Sequence, residues 1–378
     1  MLRGVTKRFS ISGAAAVLLF GMLSAGCSTV QQQVGFKLPP LHTAVPEVPI
    51  ADVDVVELTP AMEAFLDRYV MEYPNPDTRL SLLLRAVTRN GALGFDYDES
   101  LTLTAPEAFN MRAGNCIGFS NLIVTLARRA GLKAVYHEVF RRPEWSSRDD
   151  TVLLIKHVNV IVESKRYTYV VDASGLKLDP DLRQRVIGDA YAKALYLNNL
   201  GAEALLSNDL PTAYAYLRKA IETEPQITDA WINLGVVFNR NGQLDSAEQV
   251  LQRALQLDRT AYSAMGNLYE VYLAQGNVAA AEALREKVEK YRSTNPYYLL
   301  KLSDEALALN QFDESIDLLQ KAIRKKDNDH LLYFALAKTQ YLSGETSAAQ
   351  NSLAQALELA PLNKVAYYSR PLSELMVD

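Results

Sequence analysis

From residue 194 onward, apolar and small residues recur with a period of 34 residues. With units starting at 194, 228, 262, 296 and 330, the seventh position reads Leu200, Leu234, Leu268, Leu302 and Leu336. The twentieth reads Ala213, Ala247, Ala281, Ser315 and Ala349, and the twenty-seventh Ala220, Ala254, Val288, Ala322 and Ala356. Small residues at fixed sites let two antiparallel helices approach closely, and leucines fill the seam between them. The pattern predicts five stacked helix pairs over 194–363, with 364–378 as a short capping helix. The third unit departs from it, since Arg285 and Glu289 stand where apolar residues are expected. Pro225 and Pro361 close the first and last units.

Residues 59–185 alternate between helical and strand-like patterns, which predicts an α+β domain. Thr59-Pro60 opens a first helix, and Asp77 to Thr88 forms a second, stopped by Asn90-Gly91. Thr104-Ala105-Pro106-Glu107 is a capping box that opens a third. The run from Cys116 to Ala130 has almost no polar face, so a buried central helix is expected there, ending at Gly131. Three strand-like runs follow, Ala134–Phe140, Thr151–Glu163 and Tyr167–Asp172, separated by a loop around Pro143 and a turn at Ser164-Lys165-Arg166. Val158, Val160 and Val162 share one face of the second strand, and His157, Asn159 and Ile161 the other. Across a hairpin, His157 and Asp172 are roughly equidistant from the turn.

The N-terminus has a different grammar. Arg3, Lys7 and Arg8 precede an apolar core, Ala14 to Leu23, that is short for a membrane span. Ser24-Ala25-Gly26-Cys27 follows, with Ser24 where a lipobox prefers leucine. This resembles the signal peptide of bacterial lipoproteins and implies that 1–26 is removed and Cys27 carries lipid. Ser28 after it resembles outer-membrane sorting, so the expected location is the cell envelope, anchored at the outer membrane and facing the periplasm. Residues 27–58 hold Gln31-Gln32-Gln33, Pro39-Pro40, Pro46 and Pro49, which predicts an extended tether. Loss of 1–26 removes three basic residues and shifts the formal net charge from −5 to about −8. Neither a basic block nor an aromatic-basic pattern argues for nucleic acid.

The candidate chemistry centres on Cys116, in Gly114-Asn115-Cys116-Ile117-Gly118. With Cys27 assigned to lipid, it is the remaining thiol of a chain with two cysteines. At a helix start it faces the positive end of the helix dipole, and backbone N–H groups there suit an acyl oxyanion. His157 on a strand and Asp172 at the end of the next complete a nucleophile–base–orienter order. His137 is a competing base, and Tyr97 and Asn110 are alternatives for an oxyanion side chain. The four histidines and two cysteines show no metal-ligand spacing, so neither a metal nor another cofactor is expected.

The arrangement resembles the transglutaminase-like superfamily, relatives of papain-like cysteine proteases. Its local matches are Arg112-Ala113-Gly114-Asn115-Cys116, Ala127-Arg128-Arg129-Ala130-Gly131-Leu132, His157-Val158-Asn159-Val160 and Tyr169-Val170-Val171-Asp172. The resemblance implies a catalytic triad of Cys116 as nucleophile, His157 as general base and acid, and Asp172 as orienting carboxylate. Gly118 stands where many members carry an acidic residue, and Val158-Asn159 where many carry Ala-Trp. The 34-residue units resemble tetratricopeptide repeats, most clearly at Trp231-Ile232-Asn233-Leu234-Gly235. Such an array implies a protein or peptide partner.

Together the expected fold is an α+β transglutaminase-like domain followed by an all-α tetratricopeptide-repeat solenoid. The expected function is a lipid-anchored, cysteine-dependent acyl-transfer enzyme, an amide or peptide hydrolase or a transglutaminase, whose repeats hold a protein partner or substrate. The alternative is a non-catalytic outer-membrane scaffold that uses both parts for protein–protein interaction. A third reading is acyl transfer from a thioester donor, as in arylamine acetyltransferases.

Overall fold

A computed structural model describes residues 36–43, 48–89, 91–148, 151–163, 168–173 and 183–360. The expected export signal with Cys27, the expected turn at Ser164-Lys165-Arg166 and the expected capping helix at 364–378 lie outside these residues. The chain divides into two compact units, one of residues up to Val139 together with Val158–Ser246, the other of Phe140–His157 and residues from Ala247 onward.

The first unit opens with α1 (Pro60–Tyr69) and α2 (Pro76–Thr88). The Thr59 hydroxyl accepts from the Met62 amide and Asn75 from the Asp77 amide, and each helix has proline in its first turn. Those caps satisfy amides that helices leave orphaned, and the Thr59 cap is what made the first start legible in the sequence, while the second begins at Pro76, one residue before the expected Asp77. β1 (Asp96–Tyr97) pairs in parallel with β2 (Ala113–Gly114), and α3 (Ala105–Met111) lies between them in the chain. Thr104 and Glu107 form both arms of a capping box on α3. α4 (Cys116–Arg129) follows directly, with every residue from Ile117 to Ala127 buried.

β3 (Lys133–Arg148), β4 (Thr151–Glu163), β5 (Thr168–Val171) and β6 (Arg183–Ile187) form one sheet in the order β5-β4-β3-β6. β3 runs on through Pro143 to Arg148, where the sequence predicted a loop. The neighbouring strand supplies an extended pairing partner that a single-residue propensity does not register. β6 was not expected either. It is tied to β3 by Arg185, whose guanidinium meets the Glu138 carboxylate at 2.6 Å and lies over the Tyr191 ring at 4.6 Å.

Among the described residues, five helix pairs follow. They are α5 (Asp189–Leu206) with α6 (Leu210–Thr223), α7 (Thr228–Arg240) with α8 (Leu244–Leu257), and α9 (Tyr262–Ala274) with α10 (Val278–Arg292). The last two are α11 (Pro296–Ala308) with α12 (Phe312–Ile323), and α13 (His330–Leu342) with α14 (Thr346–Leu359). From α7 to α13 the first helix of each pair begins at 228, 262, 296 and 330. These are the starts read from the sequence. The second helices, at 210, 244, 278, 312 and 346, keep the same period. Every residue at the twentieth position is buried, from Ala213 to Ala349, as is every one at the twenty-seventh, from Ala220 to Ala356. Arg285 and Glu289 point outward, where they form an ion pair at 3.4 Å instead of a core contact.

The junction between the α+β region and the helix pairs lies inside the first unit. Thr102 donates to Glu203 at 2.7 Å, and Arg128 meets Asp189 through two contacts at 2.6 and 2.8 Å. The boundary expected between 185 and 194 therefore separates two patterns of secondary structure within one packed unit, which continues to Ser246. Residues 48–58, expected to be tether, also touch it. Val55 is buried, its carbonyl accepts from the Ala105 amide at 2.9 Å, and Lys193 pairs with Asp52 at 2.7 Å.

Among the described residues no helix is long and apolar enough to cross a membrane.

Candidate functional site

The local backbone explains where Cys116 sits. Arg112 ends α3 in the left-handed region, at φ 57°, and turns the chain into β2. The Asn115 amide donates to the Leu101 carbonyl at 2.8 Å. The Asn115 side chain then accepts from the Ile117 and Gly118 amides at 3.1 and 3.0 Å, capping α4. Its own Nδ2 donates to Thr102 Oγ1 at 2.8 Å, and Thr102 passes the chain of hydrogen bonds on to Glu203. Cys116 is therefore the first residue of a helix whose start is clamped from three sides. It is a free thiol and half-buried.

That geometry narrows the oxyanion idea. Two of the amides at the helix start are taken by Asn115, and the Cys116 amide is the one that it leaves aside. Gly118 also gains a reason. A Cβ there would already touch the Leu103 main chain at 3.4 Å, so the close approach of that stretch of chain favours glycine over a longer side chain.

Polar side chains fix the rest of α4. Ser120 Oγ reaches the Val158 carbonyl at 3.5 Å, Asn121 Nδ2 donates to Leu103 at 3.1 Å, and Thr125 donates to Val56 at 3.2 Å. Tyr136 donates its hydroxyl to Asn121 Oδ1 at 2.8 Å. Burial pushes the Tyr136 phenol well above its ordinary value, so it remains a donor across the neutral range.

The histidine and carboxylate lie on the sheet. Val160 pairs with Val171, Ile161 with Val170 and Val162 with Tyr169. The same register carried one step further sets Asp172 across from Asn159. Asn159 Nδ2 donates to Asp172 Oδ2 at 3.3 Å, and Asn159 Oδ1 faces His137 Nδ1 at 2.8 Å. An amide oxygen only accepts, so in this orientation His137 Nδ1 carries the proton. His137, Asn159 and Asp172 thus form one polar chain, with His137 3% and Asn159 1% exposed. Asn159 was not among the expected site residues. It could have been found as the polar residue that repeats the His157 face two positions later. His157 itself is buried, in the stretch of β4 that groups with the second unit.

The tyrosines of the repeats divide. Tyr214 and Tyr297 are buried, whereas Tyr262 and Tyr341 are 41% and 42% exposed. Tyr262 stacks on Tyr291 with centroids 4.9 Å apart, and Arg292 lies over both Tyr269 and Tyr298 while pairing with Glu270 at 2.6 Å. No group of three His, Cys, Asp or Glu among the described residues is placed to hold a metal ion.

The turn inside each helix pair repeats with the period of the array. Asn208, Gly242, Gly276, Asn310 and Gly344 all have positive φ and are spaced by 34 residues, so each pair closes with the same left-handed turn. The tetratricopeptide-repeat family model matches residues 204–260 and 239–302. The helix pairs are tetratricopeptide repeats. Over 199 residues, 46% of the chain, the sequence is 25% identical to human (Homo sapiens) Superkiller complex protein 3, and it spans 12% of that protein's length. Among solved structures it is similar to the tetratricopeptide-repeat protein TTC0263 of Thermus thermophilus. There the identity is 19%, the match covers 47% of this chain and 98% of that one, and the TM-score is 0.34. It is also similar to Pseudomonas aeruginosa pilF, with 20% identity, 50% and 94% coverage and a TM-score of 0.32. The tetratricopeptide assignment rests on the repeat register and the family match.

Proposed function

We propose that this chain is a partner-binding protein of the cell envelope. Its tetratricopeptide repeats hold a protein or peptide segment, and its α+β region carries Cys116 in the same chain. The uninterrupted 34-residue register of helix starts supports the binding role most strongly. An array of this kind stacks each unit on its neighbours and offers an extended surface for another chain. Cys27 as a lipid anchor at the outer membrane belongs to the same proposal. Its test is metabolic lipid labelling, which a Cys27→Ser variant loses if the assignment holds.

A second reading is favoured by one observation, the half-buried thiol at the capped start of α4. In this reading the α+β region is transglutaminase-like. Cys116 attacks an amide or ester carbonyl to form a thioester, His157 takes the thiol proton and gives it to the departing amine or alcohol as the C–N or C–O bond breaks, and Asp172 orients the imidazole. Water as acceptor completes hydrolysis, and an amine completes transamidation. Labelling by a thiol-directed probe at neutral pH tests it, with His157→Ala expected to slow modification of Cys116 at least about tenfold. Equal rates in the two proteins would sink the triad. A Cys116→Ser chain that restores every phenotype of a deletion strain would leave the binding role standing without catalysis.

A further inference from the structure

Residues 36–43 were expected to be part of a spacer. They instead lie against the first two repeats as a segment without helix or strand. The Phe36 ring meets Trp231 of α7 edge to face, with centroids 5.1 Å apart. Tyr214 of α6 donates its hydroxyl to the Pro39 carbonyl at 2.9 Å. In the loop after α7, Gln243 donates to the Pro40 carbonyl at 3.0 Å and accepts from the His42 amide at 2.7 Å. Asn241 donates to the His42 carbonyl at 2.9 Å and also holds Gln243, at 2.7 Å.

The chemistry of this contact is specific in kind. Tyr214, Asn241 and Gln243 between them take three carbonyls and one amide of the segment, so they read main chain rather than side chains. Two consecutive prolines suit such a reader. They hold the chain extended and leave their carbonyls without competing amides. The ring contact with Trp231 then sets the register, because it accepts an aromatic side chain three positions before the first proline. Phe36 remains 40% exposed, so the anchor is shallow.

We propose that this face of the first two repeats is a peptide-binding site and that the chain's own Phe36–His42 segment is its resident, displaceable occupant. The exchanging partner is an extended segment of another protein with an aromatic residue followed, three positions later, by a proline pair. The proposal rests on the partner-binding reading of the repeats and deepens it. Occupation by a covalently attached segment acts as a high effective concentration, so an incoming segment binds only to the fraction of molecules in which the resident has left. Partner binding and release of residues 36–43 are then one equilibrium.

The test uses the full chain and a fluorescent synthetic peptide of residues 36–43, with affinity read by anisotropy. Phe36→Ala weakens the resident and leaves the repeat face intact. It is expected to raise the apparent affinity for the peptide at least about tenfold over the unchanged chain. Adding Gln243→Ala in the half-buried loop is expected to abolish that gain, and Tyr214→Phe to reduce it. Circular dichroism confirms that each variant is folded. A folded Phe36→Ala chain that binds the peptide no more tightly than the unchanged chain overturns the proposal. So does retention of the gain in the Phe36→Ala, Gln243→Ala double variant. A concentration-dependent dimer of the unchanged chain that Phe36→Ala dissolves also overturns it, in favour of exchange between two copies. None of these readouts involves Cys116, so failure here and failure of the acyl-transfer reading are separable.

Discussion

At the scale of single residues, Asn115 is the side chain on which the geometry around Cys116 turns. It caps α4 through two amides and is held by Thr102, which continues to Glu203. Asn115→Ala leaves those amides without their cap and Thr102 without a partner on that side. A loss of about 1–2 kcal/mol is expected in denaturant unfolding. In the acyl-transfer reading, modification of Cys116 by the thiol probe also slows, because the helix start that presents the thiol loosens. A variant as stable as the unchanged chain would show that the main-chain bond to the Leu101 carbonyl holds the turn without the cap. The sequence placed Asn115 directly before Cys116 at an expected helix start. It did not show that its carboxamide takes two of the amides offered to an oxyanion, because a cap and an oxyanion donor draw on the same orphaned N–H groups.

At the scale of elements, two glycines of the repeats separate two kinds of constraint. Gly201 lies within α5, where alanine is the better helix former. Yet a Cβ there would sit 2.7 Å from Leu217 Cγ of α6. Gly201→Ala is therefore expected to destabilise by roughly 1–3 kcal/mol, the cost of overpacking against the propensity gain. Gly276 is the opposite case. Nothing lies within 4 Å of a Cβ there, but its φ is +73°. Gly276→Ala should cost about 1 kcal/mol through the backbone alone. Leu217→Ala should rescue part of the Gly201→Ala loss in a double-mutant cycle and leave the Gly276→Ala loss unchanged. Coupling between 276 and 217 instead would refute this division.

Much of the element scale was legible in advance. Helix starts at Thr59-Pro60, Thr104-Ala105-Pro106-Glu107 and the last four 34-residue units are written in local capping and small-residue spacing, whereas the first unit, read as starting at 194, has its helix begin at Asp189. The strand register was less so. Local pattern placed His157 and Asp172 roughly equidistant from the turn, whereas pairing sets Asp172 across from Asn159. Alternation fixes which residues share a face, but a shift of one residue in the partner changes which of them meet.

At the scale of the whole molecule, the α+β region and the first repeats are joined within one unit by Arg128 and Asp189. The hydrogen bonds from Arg128 hold the Asp189 carboxyl below its usual range. The folded chain therefore keeps this carboxylate charged at a pH where the unfolded chain, near 3.9, takes up a proton. Its contribution is fully present above about pH 4 and is lost as pH falls through the lower folded value. The side chains are 37% and 54% exposed, so the contribution at neutral pH is no more than about 1 kcal/mol. Asp189→Asn is expected to lower the urea midpoint at pH 7, with the gap to the unchanged chain closing as the pH drops toward 3. A gap that stays constant over that range would rule out a charge-based contribution.

The sequence by itself determined the repeat period, most helix starts and the place of Cys116 at a helix start. Each depends on neighbours within a few residues or on a spacing that recurs along the chain. Only the tertiary structure decided that Asn159 joins His137 to Asp172, that Gly118 faces the main chain of Leu103, and that Phe36–His42 lies on the repeats. These are contacts between residues from 13 to 203 positions apart. A proline-rich stretch has no period of its own, so local pattern alone reads it as a spacer. Its position is set by Tyr214, Asn241 and Gln243 on the partner surface, whose hydrogen-bonding groups become a site only when the helices bring them together.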